Sequence, residues 1–182
     1  TRFDGNANAF RLLTHRFKGR REGGFVMTYS MLASIVKYPF ASVAASSKNK
    51  FGFFKSERDV YLRIVEELGI PKISSPDGKE RWARFPLVYL VEAADDICYE
   101  VMDIEDAHKL KILSFEETRD LLLGFFNEKG KERILQRIEE ENITDNNEKI
   151  VYMRSRVIGM LERECVETFV KHEKEILEGT FE

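Results

Sequence analysis

Apolar and polar positions along the chain recur at the period of a helix, and no stretch keeps the strand period of two for long. The clearest case is PLVYLVEAADDICYEVMDIEDA at 86 to 107, where Leu87, Leu90, Val91, Ala94, Ile97, Cys98, Val101 and Ile104 return at helical spacing. They predict a long helix with a wide apolar face, most of it buried, and Pro86 sits where a first-turn proline is tolerated. The opening segment predicts a helix begun near Asp4 to Asn6, with Phe10, Leu13 and Phe17 on one face and Gly19 past its end. Thr28 is placed to cap a second helix, with Met31, Leu32, Ile35 and Val36 inward and Pro39 closing it. That helix delivers Lys37 and Tyr38 at its end. FASVAASSKNK at 40 to 50 reads as a loop running into Lys50, and Ser56 is expected to cap a helix through Glu67, stopped by Gly69 and Pro71.

SSPDGKE at 74 to 80 is a turn cluster that predicts a hairpin-like excursion. Ser114 and Glu117 carry a capping-box spacing, and Leu121 to Phe126 form the apolar part of the helix they open. A charged helix is expected from Lys131 to about Glu140. Thr144 or Asp145 then starts a long one, with Ile150, Met153, Val157, Met160, Leu161 and Val166 as its stripe up to about Lys174. No internal repeat is visible. The expected class is all-α, a helical bundle forming a single domain over 1–182.

Composition narrows the setting. The 182 residues are 43% apolar and include 14 Phe, enough for a sizeable core. A net charge of −3, from 29 basic and 32 acidic residues, gives no global attraction to nucleic acid or to a membrane surface, so anion binding must come from local clusters. The apolar runs are shorter than a membrane span, and the first residues lack a signal-peptide pattern, so the expected location is cytoplasmic. Cys98 and Cys165 are too few for a disulfide scaffold or a zinc box and are expected to be buried free thiols. KGRREGG at 18 to 24 reads as an exposed basic loop.

The long helix also carries chemistry. Asp95, Tyr99 and Asp103 stand at i, i+4 and i+8, which lines up two carboxyls and a phenol on one stripe. A carboxylate on a buried face must be paired, hydrogen-bonded or metal-bound, so the stripe asks for a ligand. The alternative is an ordinary solvated face, extended by Glu92, Asp96, Glu100 and Asp106.

EAADDICY at 92 to 99, followed by the D-x-E-D of 103 to 106, resembles the dGTPase-like deoxynucleoside triphosphate triphosphohydrolases of the HD-domain phosphohydrolase superfamily. FDGNANAFRLLT at 3 to 14, MTYSMLASIVKYP at 27 to 39 and KFGFFKSE at 50 to 57 carry the same resemblance in the same order. It implies an HD-domain-like helical bundle that hydrolyses dNTPs, dGTP among them, to deoxynucleoside and intact triphosphate. It implies a divalent metal, Mg, Mn or another transition metal, with Asp95 as a ligand and Asp96 as the fallback. It assigns the triphosphate to Asn6, Lys37, Tyr38 and Lys50. The deoxyribose falls to Asp103, accepting from the 3′-hydroxyl, and to Tyr99, whose ring crowds the 2′ carbon.

The chain departs from that pattern in one respect: it has no His-Asp dipeptide, and His15, His108 and His172 lie outside the metal-site context, so they read as structural or surface residues. The remaining metal ligands and the catalytic His and acid are expected in a part of the protein before Thr1, with this chain being the part that follows the HD motif. The 182 residues alone are then expected to be inactive and to expose apolar surface. The expected partners are a dNTP substrate, a dNTP effector and further copies of the chain, without a membrane and with no signal for nucleic acid. A non-catalytic nucleotide-binding or regulatory protein that lacks the full metal site is the alternative.

Overall fold

A computed structural model describes residues 3–19, 22, 24–45, 50–75 and 77–181. The chain runs through α1 (Gly5–Thr14), α2 (Tyr29–Ser34), α3 (Arg58–Leu68), β1 (Lys72–Ile73), β2 (Arg81–Trp82), α4 (Pro86–Lys109), α5 (Phe115–Leu123), α6 (Glu128–Glu140), α7 (Asn146–Lys171) and α8 (Glu173–Glu178). The all-α class therefore holds. The only sheet among the described residues is the antiparallel β1–β2 pair, which frames the expected hairpin-like excursion. Positions 20, 21 and 23 of the basic loop and 46–49 of the loop before Lys50 lie outside the described residues. The backbone divides into two compact units, Thr1–Glu92 with Phe169–Glu182, and Ala93–Thr168.

The first unit is built around rings. Phe53 and Tyr61 stack with centroids 4.3 Å apart, Phe10 meets Tyr61 edge-on at 6.1 Å, and Trp82 meets Tyr61 edge-on at 5.6 Å. Leu32, Ala33, Val36, Ile64 and Ile70 complete this cluster, and burial pushes the Tyr61 phenol well above its ordinary range. Local signals set the helix ends. Asp4 caps α1 by accepting from the Asn6 amide, Thr28 caps α2 by accepting from the Met31 amide, and Gly69 ends α3 at a left-handed φ of 62°.

Several expectations are corrected here. Phe17 lies beyond α1 and is exposed, because the helix ends at Thr14. Met31 is exposed, while Leu32 and Val36 are buried, since α2 closes after six residues and its inward face narrows accordingly. Ser56 does not cap α3: a 3-10 turn over Lys55–Glu57 leads into it, and the Ser56 hydroxyl donates to the Glu57 carboxylate instead.

The second unit has an aliphatic core of Val101, Leu122, Leu123, Ile134, Ile138, Ile150, Met153 and Val157. Ser114 and Glu117 make the full capping box of α5. Asn127 caps α6 by accepting from the Gly130 amide, so that helix starts three residues before the expected Lys131. The α7 stripe is buried at Ile150, Met153 and Val157, but Val166 is exposed, and the helix stops at Lys171. Cys98 is exposed and Cys165 half-buried, which corrects the expectation of buried thiols.

Helix α4 departs furthest from its expected burial. Val88 and Val101 are buried, whereas Leu87, Val91 and Met102 are exposed and so are Ala94 and Cys98. Periodic hydrophobicity marks a face able to pack; whether it is covered depends on what else the fold lays against it. Among the described residues of this helix, Glu105 is the buried acid, paired with Arg154 and, at 2.6 Å, with Lys109.

Candidate functional site

Lys37 and Tyr38 follow the short helix α2, and three features hold the strand of chain that carries them. The Trp82 amide donates to the Pro39 carbonyl at 3.1 Å, tying β2 to the residue after Tyr38. The Gly52 amide donates to the Phe40 carbonyl at 3.1 Å, and Ala41 bridges to Phe53. Gly52 is needed there because a Cβ would collide with the Tyr38 carbonyl oxygen and come within 2.6 Å of Val36 Cγ1. The glycine of KFGFF thus lets two backbone segments meet behind Tyr38.

In front of these residues is a concavity of about 490 Å³, lined within the first unit by Lys37, Tyr38, Arg81, Trp82, Arg84, Tyr89 and Phe181 among others. Its charged lining is wholly cationic, and Tyr38, Phe40, Trp82, Tyr89 and Phe181 give it an aromatic share. That combination suits a ligand with an anionic end and a flat or apolar end. Arg81 is committed to the fold: it donates to the Ala44 carbonyl, pairs with Asp77 at 3.2 Å and lies 4.5 Å from the Phe40 ring centre. Arg84 donates to Glu92 at 2.9 Å and stands 5.7 Å from the Tyr89 ring centre. Lys37 pairs with the other oxygen of Glu92. The Tyr89 phenol is raised, mainly by burial, with Arg84 opposing and Glu92 adding to the shift. Its hydroxyl donates to the Phe181 carbonyl at 3.2 Å.

Of the residues assigned to the triphosphate, Lys37 and Tyr38 line this pocket, and Asn6 and Lys50 do not. Asn6 lies in the first turn of α1, where its Nδ2 donates to Asp4 Oδ1 at 3.0 Å, so the cap is Asp4 and not Asn6. Lys50 is exposed. On α4, Asp95, Asp96 and Asp103 are exposed, and Tyr99 is 66% exposed. The expectation that this stripe sits in a core is therefore corrected; in this chain it is a solvated face. Glu92 is the exception, with a side chain only 20% exposed and a cation on each oxygen. Sequence spacing had no means of separating it from Glu100 or Asp106. Arg84, which pairs with Glu92 and lines the pocket, has no periodic or motif signal in the sequence, being a single arginine ahead of a helix.

No group of three or more His, Cys, Asp or Glu side chains able to hold a metal occurs among the described residues. The residues present thus do not by themselves make the divalent-metal site that the resemblance implies, and Asp95 is at most one ligand of it. His15 packs edge-on against Phe17 at 5.1 Å, and His172 contacts Glu175, in keeping with structural and surface roles.

The fold and pocket define an all-helical protein with a cationic cleft partly walled by aromatic rings, and comparison with known proteins shows what the chain is similar to. The chain is 35% identical over 181 residues to a deoxyguanosinetriphosphate triphosphohydrolase-like protein of Pseudomonas aeruginosa, covering 97% of this chain and 39% of that protein. It is 32% identical to a protein of the same name from Synechocystis, covering 100% of this chain and 41% of the relative. A deoxyguanosinetriphosphate triphosphohydrolase of Yersinia pestis matches at 26% identity, covering 100% of this chain and 36% of the relative. The chain is similar to these proteins over its whole length, and it spans about two fifths of theirs. No family model matches it. No helix of the described residues is long and apolar enough to cross a membrane.

Proposed function

We propose that the intact protein is a dNTP triphosphohydrolase, cleaving dNTP, dGTP among its substrates, to deoxynucleoside and triphosphate. The observation that carries this reading is the pocket at Lys37 and Tyr38, whose charged lining is all cationic, in a chain that matches dGTP triphosphohydrolase-like proteins from end to end. Lys37 and Tyr38 bind the triphosphate in this pocket; Asn6 and Lys50, which do not line it, are given to the triphosphate by the resemblance alone. Lysine suits this role as a compact charge on a flexible stem that follows negative charge developing on the leaving chain. The resemblance gives the deoxyribose to Tyr99 and Asp103 and makes Asp95 one ligand of a divalent metal, Mg, Mn or another transition metal, completed by residues elsewhere in the intact protein. Bound there, such a metal supplies an activated water and a clamp on phosphate. What these residues contribute of their own is charge, orientation and exclusion of a ribose 2′-hydroxyl by the Tyr99 ring.

The test is an assay of the full-length protein against all four dNTPs and the matching rNTPs with Mg and with Mn, scoring release of intact triphosphate. Triphosphate release that Asp95→Ala abolishes, and a dNTP preference over rNTP that Tyr99→Ala narrows, support the reading. Nucleotide binding without any turnover points to the non-catalytic alternative. Triphosphate release by residues 1–182 alone is expected to be nil. Robust turnover by this chain would mean that the metal site is built from other residues.

A further inference from the structure

Two cations meet at Glu92: Lys37, to which the resemblance gives the triphosphate, and Arg84, to which it gives no role. We propose that Arg84 is a further triphosphate-binding cation beside Lys37, and that Glu92 is the positioning residue that holds the two cations together. This rests on the reading that Lys37 binds the triphosphate.

Three observations converge on it. Glu92 is bridging, with one carboxylate oxygen on Lys37 Nζ and the other 2.9 Å from Arg84 Nη1. The carboxylate lies deeper than its partners: its side chain is 20% exposed, against 36% for Lys37 and 34% for Arg84. Finally, Lys37 and Arg84 both line the pocket, while Glu92 does not. A ligand in the cleft therefore meets the two cations and not the carboxylate behind them. An anchored pair of cations suits a polyphosphate, which carries several charges along a chain and is held best by donors already in place.

Arg84 also has the means. A guanidinium offers five N–H donors in a planar fork, and the bond to Glu92 engages only its Nη1. Its guanidinium carbon also stands 5.7 Å from the Tyr89 ring centre, within reach of a cation–π attraction. Arg81, by contrast, is turned to Asp77, Ala44 and Phe40 and serves as floor. The tail that closes the pocket is placed by Gly179, whose φ of 73° and tight approach to Ala83 leave no room for a side chain.

Glu92 separates positioning from simple electrostatics by sign. Removing a negative charge beside a phosphate site strengthens phosphate binding if the carboxylate is only a competitor for the cations. Removing it weakens binding if the carboxylate is what keeps the cations together. The test is titration of the intact protein with inorganic tripolyphosphate at fixed ionic strength, for the wild type, Lys37→Gln, Arg84→Gln, Arg84→Lys, Glu92→Gln and Glu92→Asp, with thermal unfolding recorded for each. Arg84→Gln is expected to weaken binding about tenfold and to flatten its salt dependence, with Arg84→Lys falling between. Glu92→Gln is expected to weaken it by a similar factor, with Glu92→Asp recovering part.

Weakening by Lys37→Gln but not by Arg84→Gln overturns the inference and leaves the reading of Lys37 intact. Weakening by Arg84→Gln but not by Lys37→Gln removes the reading of Lys37 and, with it, the shared role of Glu92. Affinity that rises or stays level in Glu92→Gln overturns the positioning role. If Glu92→Gln unfolds, Glu92→Asp decides by the same sign, since a shortened carboxylate weakens a positioned pair and leaves a competing charge in place.

Discussion

Phe10, Phe53, Tyr61 and Trp82 fill the core of the first unit, whereas the second is filled by Val101, Leu122, Ile134, Ile150, Met153 and Val157. The rings come from α1, α3, β2 and the irregular segment at Phe53, so they pin loop backbone as firmly as helix. The aliphatic residues sit on helices at helical spacing and pin helix against helix. Large, rigid rings tolerate irregular connections because each makes many contacts from one attachment point. An aliphatic helical core needs the regular spacing instead. The pocket belongs to the ring-built unit, where backbone outside helices is fixed closely enough to aim Lys37 and Tyr38. The difference teaches that the pocket and the aromatic packing go together here, while the core of the second unit is helix packed on helix around one buried acid.

Phe53→Ala attacks the ring core at its centre and is expected to cost about 4 kcal/mol, as buried Phe truncations do. Hydrogen exchange should show the loss of amide protection within the first unit. An equal loss in 93–168 would break the comparison. Ile150→Ala is the counterpart and is expected to cost about 3 kcal/mol, with the exchange signature reversed.

Arg154→Ala tests the ion pair on the buried acid of the aliphatic unit. Burial alone would raise the Glu105 carboxyl, but hydrogen bonds from Lys109 and Arg154 outweigh it and hold the group below the ordinary carboxylate range. A carboxyl lowered in the fold contributes stability that is complete above its unfolded value and is lost as pH falls through the folded one. Arg154→Ala should cost about 2 kcal/mol near neutrality, with Lys109 still in place, and the gap to wild type should narrow in acid as Glu105 takes up its proton. Urea midpoints across pH measure this, and a gap that does not change with pH would count against the ion pair. Ser114→Ala should cost about 1 kcal/mol by removing the cap of α5. The smallest effect is expected for Asp95→Ala, within about 0.5 kcal/mol because the side chain is exposed. A larger drop in Tm would mean that Asp95 is part of the scaffold.

Much was legible from the residues alone, because it depends on neighbours in sequence. Thr28, Gly69 and the Ser114–Glu117 box act within one turn of their own helix ends, and the all-helical class follows from a period that backbone geometry imposes. The turn cluster at 74 to 80 foretold the β1–β2 hairpin for the same reason. Lys37 and Tyr38 were marked by motif, and the pocket brings them together with a cationic, aromatic lining.

Tertiary structure alone decided the rest. The apolar period of α4 could not say that Leu87, Val91 and Met102 would stay exposed while Val88 and Val101 were covered, since cover comes from residues distant in sequence. Nor could spacing separate Glu92 from the other acids of its helix. Its carboxylate is distinguished by Lys37, 55 positions earlier in the chain, and by Arg84, and only folding brings those two charges to its oxygens.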